Sequence, residues 1–399
     1  MEFSYLCSEC NRRFSIAPRV MVCPDCSATQ APDQPLRGVL EVELSGKAPR
    51  DWDVASLLPV EQRFFPPIPV GGTPLWRPGR LRRELDFPGL YIKDDGLNPT
   101  CSLKDRASFL VSAFAIKFGI QEIVLASSGN AGSSMAGVGA AAGQKVTLFL
   151  PKATPEAKLI QALQYGARVF RVDGSYDDAY DLSVGYTARF GGLNRNTAYN
   201  PMTIEGKKTV SLEIVRQLGR TPDFVFVSAG DGCILAGVYK GFQDLYRLEL
   251  SDRLPVVYAV QAEGSDALAR AFETGVFRRE TASTVADSIS VDVPRNGFHA
   301  LRQLKAHGGQ VVRVSDENIL AAQARLSRSA GLFTEPAGAA AFAGFLEAQP
   351  RLPADAVVVV LATGNGLKDT AAATRTVKIP EKMISGLVQV DGGGRAFPL

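Results

Sequence analysis

One lysine is well placed for covalent chemistry. The segment Asn98-Pro99-Thr100-Cys101-Ser102-Leu103-Lys104-Asp105-Arg106 is dense in turn formers and runs into an apolar stretch at 107–118. Ser102 is the expected N-cap, which puts Lys104 in the first helical turn. The positive end of the helix dipole disfavours an ammonium there. A lysine whose charged form is disfavoured attacks an aldehyde more readily. From these residues alone, a solvated surface lysine beside Asp105 is the competing account.

Three glycine turns each follow a short apolar run. Ser127-Ser128-Gly129-Asn130-Ala131-Gly132 follows 122–126, Gly230-Asp231-Gly232-Cys233-Ile234 follows 224–228, and Thr363-Gly364-Asn365-Gly366 follows the run ending at Leu361. Backbone N–H groups at such turns, helped by serine hydroxyls, bind carboxylate or phosphate. One turn would serve geometry alone, whereas three after strands favour a polar ligand at a shared site. A nicotinamide-type fingerprint fails in the second turn, where Leu235 stands in place of glycine, and a nucleotide P-loop before Lys207 fails because position 201 is proline.

Four of the six cysteines fall as Cys7-x-x-Cys10 and Cys23-x-x-Cys26, with twelve residues between the pairs. Two such knuckles suit a tetrahedral four-thiolate zinc site. A redox disulfide pair is the competing reading. Four protein ligands leave no open position, so this zinc would be structural. The remaining pattern suits a reducing compartment, and only two histidines, His299 and His307, argue against a tri-histidine metal centre.

These groups need a scaffold. The 399 residues exceed one ordinary core. From residue 120 onward strands at 122–126, 145–150, 168–172, 224–228, 256–261 and 357–361 alternate with helices such as 155–165 and 175–190. That alternation implies parallel sheets covered on both faces, with ligands at the carboxyl ends of strands. A net charge of +3 gives no reason to expect nucleic acid or a membrane surface as partner. No apolar run approaches a membrane span, and the start Met1-Glu2-Phe3-Ser4 lacks a secretory pattern, so a cytoplasmic location is expected.

The ordered motifs resemble threonine synthase, a fold-type-II pyridoxal-phosphate enzyme of tryptophan synthase β-like architecture. The resemblance runs from Gly71-Gly72-Thr73-Pro74-Leu75, through Asn98 to Arg106, Ser128-Gly129-Asn130, Asn200-Pro201, Glu205-Gly206-Lys207-Lys208-Thr209 and Glu335-Pro336-Ala337, to Thr363-Gly364-Asn365-Gly366-Leu367-Lys368-Asp369. It implies an α/β fold of two parallel-sheet domains, with a zinc ribbon at 1–40 as found in one branch of the family. The large cofactor-binding domain would be 41–110 with 216–399, and a small mobile domain 111–215. It implies that Lys104 carries pyridoxal 5′-phosphate as a Schiff base and moves protons. Asn130 would meet the cofactor's 3′-oxygen, Gly230, Asp231, Gly232, Cys233 and Ile234 its phosphate, and Thr363 its pyridine nitrogen. Ser127, Ser128 and the amides of their turn would hold the carboxylate of an amino-acid substrate. The resemblance leaves the oligomer open; a homodimer is compatible with it.

The pattern departs from the family where the phosphate of phosphohomoserine is held. Those positions align with Ala131, Ala198, Thr203 and Asp231, where the family usually has Thr, Ser, Arg and Asn. Two alanines donate nothing, the arginine fork is gone, and Asp231 would repel phosphate unless it serves only its turn. Lys207 stands where the family tends to have Gln and could compensate. The expected activity is therefore an elimination or replacement on a non-phosphorylated amino acid such as serine, threonine, homoserine or a diamino acid. The alternatives are a threonine synthase with a rebuilt phosphate pocket and a non-catalytic, zinc-anchored interaction protein. A retained Lys104 speaks against the last.

Overall fold

The computed structural model describes residues 1–127, 129–152 and 156–380. Its large sheet has the strand order Gln310–Val314, Val256–Ala262, Phe224–Ser228, Val358–Ala362, Leu90–Asp94, Leu75–Trp76. All pairs are parallel except the last. The small sheet, Arg168–Val172, Lys145–Pro151, Glu122–Ala126, Leu193–Asn194, is wholly parallel. Val358–Ala362 is buried at every residue, as a strand covered on both faces must be. The helix Pro336–Ala348 supplies part of that cover. A third, antiparallel sheet pairs Glu2–Cys7 with Arg13–Phe14 and Leu40–Ser45. No helix among the described residues is long and apolar enough to cross a membrane.

The large sheet reverses its winding where Phe224–Ser228 lies beside Val358–Ala362. Such a switch point leaves a crevice at the carboxyl ends of the two strands. The turns at 229–232 and 363–365 stand there. So does the entry to the helix Lys104–Lys117. Leu103 N–H donates to Thr363 O at 2.8 Å and Asn365 N–H to Cys101 O at 3.0 Å. The helix begins with Lys104, but Leu103 rather than Ser102 is its N-cap, and no side chain caps it. The expected serine cap fails because Leu103 already has helical φ and ψ, so the Ser102 carbonyl accepts from Asp105 N–H. The Asp105 carboxylate instead reaches back to the Thr100 N–H at 2.7 Å and to its hydroxyl.

Two residues beyond Lys104, the Arg106 guanidinium is fully bonded in the interior. It meets Asp95 Oδ2 and Glu213 Oε1 at 2.6 Å each, and the hydroxyls of Thr73 and Thr209 at 3.0 Å. Lys93 Nζ completes the cluster, 2.6 Å from Glu213 Oε2. The helix Met202–Leu218, which carries Glu213, can come this close because of Gly206. A Cβ there would lie 2.4 Å from Arg106 O.

Removing one partner from such a cluster leaves the others charged and unpaired. Arg106→Ala should therefore destabilise the fold by about 3–5 kcal/mol, read as a lowered urea midpoint. Arg106→Lys, which keeps the charge without the fork, should lose less. A loss for Arg106→Ala of under about 1 kcal/mol, the worth of an exposed pair, would show that the cluster does not hold the helix.

Candidate active site

A cavity of about 270 Å³ opens at the switch point. Lys104 and Asp231 are part of its lining, together with Ser127, Gly129, Asn130 and Ala131 from the turn after Glu122–Ala126. Tyr176, Asp177 and Thr197 line it from the small-sheet side, and residues 287–295 with Arg279 from the large-sheet side. Arg295 and Asp177 form an ion pair across it.

Each sequence-derived candidate among the described residues has a definite place. Ser127 Oγ accepts N–H bonds from Gly129 and Gly132 at 3.2 and 2.9 Å, which leaves its proton to donate. The next helix, Asn130–Ala142, starts directly after this turn. The N–H groups of Asn130 and Ala131 find no acceptor among the described residues. Asn130 Nδ2 donates to Glu335 Oε1 at 2.7 Å and Ser288 Oγ at 3.3 Å, while its buried Oδ1 has no partner. Ser128 lies outside the described residues. Ala198 and Thr203 are buried and do not line the cavity. The Thr203 hydroxyl is used within its own turn: it donates to Asn200 O at 2.7 Å and accepts from Ala198 N–H at 3.2 Å. Thr363 is buried, and its carbonyl anchors the lysine helix.

The second glycine turn leads into the helix Cys233–Arg247, with Gly232 at φ 84°. Asp231 Oδ1 accepts the Cys233 N–H at 2.8 Å. The N–H groups of Gly230, Asp231, Gly232, Ile234 and Leu235 have no acceptor among the described residues. A row of free amides at a helix start fits an anion such as a phosphate ester.

Burial pushes the Lys104 amine down to about 8, against the pull of nearby Asp231; Lys207 and Arg195 push it the same way as burial. The helix-start argument gave the right direction, but enclosure has the larger effect. Three participants were not foreseen. Arg195 is buried, and among the described residues its guanidinium is bonded to the hydroxyls of Thr197 and Ser108 at 3.2 and 3.4 Å. Its position depends on tertiary packing, and no motif marks it. Glu335 was visible in Glu335-Pro336-Ala337, yet nothing local aimed it at Asn130. The wall at 287–295 lies in a stretch without strong periodicity.

The family described as pyridoxal-phosphate dependent enzyme matches residues 68–364. The chain belongs to that family. A threonine synthase of Methanosarcina acetivorans is 34% identical over 384 residues, spanning 91% of each chain. One of Methanocaldococcus jannaschii is 35% identical over 340 residues, 83% of this chain and 84% of its own. The solved structure of maize serine racemase shares the fold, with a TM-score of 0.67 at 19% identity over 77% of this chain and 92% of that one. The protein is thus a threonine synthase-like, pyridoxal-phosphate-dependent lyase of fold type II.

The neutral amine is the reactive form, and a lowered value places its appearance earlier on the pH scale. In the cofactor-free protein, reductive methylation of Lys104 should rise with pH and level off above about 8. Exposed lysines should continue to gain reactivity toward ~10.4. Peptide mapping after brief labelling at several pH values gives both curves, and coincident curves would mean that the pocket does not tune Lys104.

Proposed function

We propose that the enzyme carries out an elimination or replacement on an amino acid whose side chain bears no phosphate. Lys104 holds the cofactor and moves the α-proton. When bound, the cofactor supplies a sink for the electron pair that this proton leaves behind. The free N–H groups of Gly230, Asp231, Gly232, Ile234 and Leu235 would take its phosphate, and Asn130 and Thr363 would hold its ring. The Ser127 hydroxyl and the N–H groups of Asn130 and Ala131 take the substrate carboxylate. A Lys104 amine titrating near 8 is deprotonated often enough near neutrality to act as a base. The segment 111–215 acts as the small domain that closes over the substrate and excludes water.

The observation that carries the substrate reading is Asp231, which lines the cavity beside Lys104 where Ala131 offers no donor. Two unit charges ~4 Å apart interact by about 4 kcal/mol at an effective dielectric of ~20. A carboxylate there discriminates against phosphate and favours a hydroxyl or an ammonium, as in serine, threonine, homoserine or a diamino acid. One observation favours the other reading, a threonine synthase acting on phosphohomoserine. Arg195 is a buried guanidinium with no carboxylate partner among the described residues, beside the cavity-lining Thr197. Side-by-side assay of phosphohomoserine and the unphosphorylated amino acids separates the two. The unphosphorylated substrates should turn over faster, and Asp231→Asn should narrow the gap. Efficient release of phosphate and threonine by the unmodified enzyme would reverse the assignment. Borohydride should fix the cofactor on Lys104, and Lys104→Ala should abolish turnover.

We further propose that Cys7, Cys10, Cys23 and Cys26 hold one structural zinc. Their sulfurs all lie within 4.8 Å of one another, with Cys7–Cys26 and Cys10–Cys23 at 3.8 Å. A tetrahedron with Zn–S of about 2.3 Å has edges of about 3.8 Å. Metal analysis should give about one zinc per chain. Cys7→Ser should reduce metal content and thermal stability more than cofactor loading. Freshly purified protein without metal would refute the site.

A further inference from the structure

Lys207 is 1% exposed and its side chain has no carboxylate partner among the described residues. Its stem packs on Gly237, where a Cβ would lie 2.6 Å from the Lys207 Cβ. From there it runs about one helical turn toward the start of Cys233–Arg247. Its Nζ ends 3.0 Å from Cys233 Sγ. An ammonium has three donors, and a thiol sulfur is a weak acceptor. A cation at a helix start also opposes the dipole. Arg195, a second buried cation, lies within electrostatic reach of Cys233 and Asp231. Opposite these positive groups stands Asp231, with one oxygen already occupied by the Cys233 N–H. Neither Lys207 nor Arg195 has a carboxylate in contact among the described residues.

We propose that Lys207 is a phosphate-binding cation at the start of this helix, and that the phosphate is the cofactor's. The free N–H groups of Gly230, Asp231, Gly232, Ile234 and Leu235 belong to the same turn. A phosphate monoester offers three acceptor oxygens and about two negative charges, enough for both the amides and the ammonium. Lys207 and Cys233 are enclosed and do not line the open cavity. An anion reaching them is therefore bound deep within the fold rather than at the substrate's entrance. This inference rests on the reading of Lys104 as the cofactor's lysine.

The test compares pyridoxal phosphate with pyridoxal, which lacks the phosphate, in titrations of the cofactor-free enzyme and its Lys207→Gln and Lys207→Arg variants. Lys207→Gln should weaken pyridoxal phosphate by at least about tenfold, the effect of losing one charged hydrogen bond. Pyridoxal affinity should change less than about twofold, and Lys207→Arg should recover part of the loss. Equal losses for both ligands would overturn the proposal. So would unchanged cofactor affinity with a raised KM for an anionic substrate, which would give Lys207 to the substrate. A second readout needs no variant. The ³¹P resonance of the bound cofactor in the unmodified enzyme should not shift with pH near ~6, where a free phosphate ester takes up its second proton. A resonance that titrates like the free ester would also overturn the proposal. Failure of the Lys104 reading is recognised separately, by a borohydride label on another lysine.

Discussion

The site depends on the charge cluster around Arg106. Two cations, Arg106 and Lys93, meet two carboxylates, Asp95 and Glu213, so the cluster is neutral as well as buried. Burying four charges carries a large desolvation cost, offset only when the donors and acceptors find good partners. Here they do. The partners come from the loop after Leu90–Asp94 and from the helix Met202–Leu218, so the cluster fixes the lysine helix against both. Two helical residues are separated by about 200° around the axis. With Arg106 committed to the interior, Lys104 is turned to the opposite side, toward the crevice at the sheet's switch point. One residue's electrostatic demand thereby sets another residue's direction.

The charges around the cavity follow a different rule. Lys207 and Arg195 both push the Lys104 amine down, Asp231 acts on Lys104 and Arg195 in the opposite sense, and neither Lys207 nor Arg195 has a carboxylate in contact among the described residues. In a structural core such an imbalance would be costly. Beside a cavity it leaves a positive potential, to which the N–H groups of Gly230, Asp231, Gly232, Ile234 and Leu235, without acceptors among the described residues, add. Arg106 and Lys93 thus differ from Lys207 and Arg195 in having carboxylate partners in contact.

Much of this was legible in the sequence. Strands at 122–126, 168–172 and 224–228 were read with their observed limits, because short apolar runs between turn formers leave little latitude. Lys104, the three strand-end turns and the cysteine knuckles could be singled out for the same reason: their information is local. The failures were not local. Ser102 looked like a cap, but docking against the turn at 363–365 set the backbone of Leu103 and moved the helix start. Thr203, singled out for the substrate by resemblance, has a buried hydroxyl bonded to Asn200 O, 3.7 Å from Cys233 Sγ, a placement that only the fold sets. Arg195 carried no signal, since only packing brings residue 195 beside residue 108.

The cysteine module extends this contrast between local pattern and distant effect. Its knuckles do not line the cavity, but the chain leaving them does not pass freely to the main fold. Asp33 pairs with Arg279 at 2.7 Å, Gln34 Nε2 donates to Phe277 O at 3.2 Å, and Leu36 N–H donates to Arg295 O at 2.9 Å. Arg279 and Arg295 both line the cavity. A loop wall such as 277–295 has little secondary structure of its own to hold its shape. Contacts from another element must supply that constraint, and three come from four consecutive residues of the linker. The position of Arg295, and with it the ion pair to Asp177 across the cavity, is therefore tied to how firmly the first forty residues are folded.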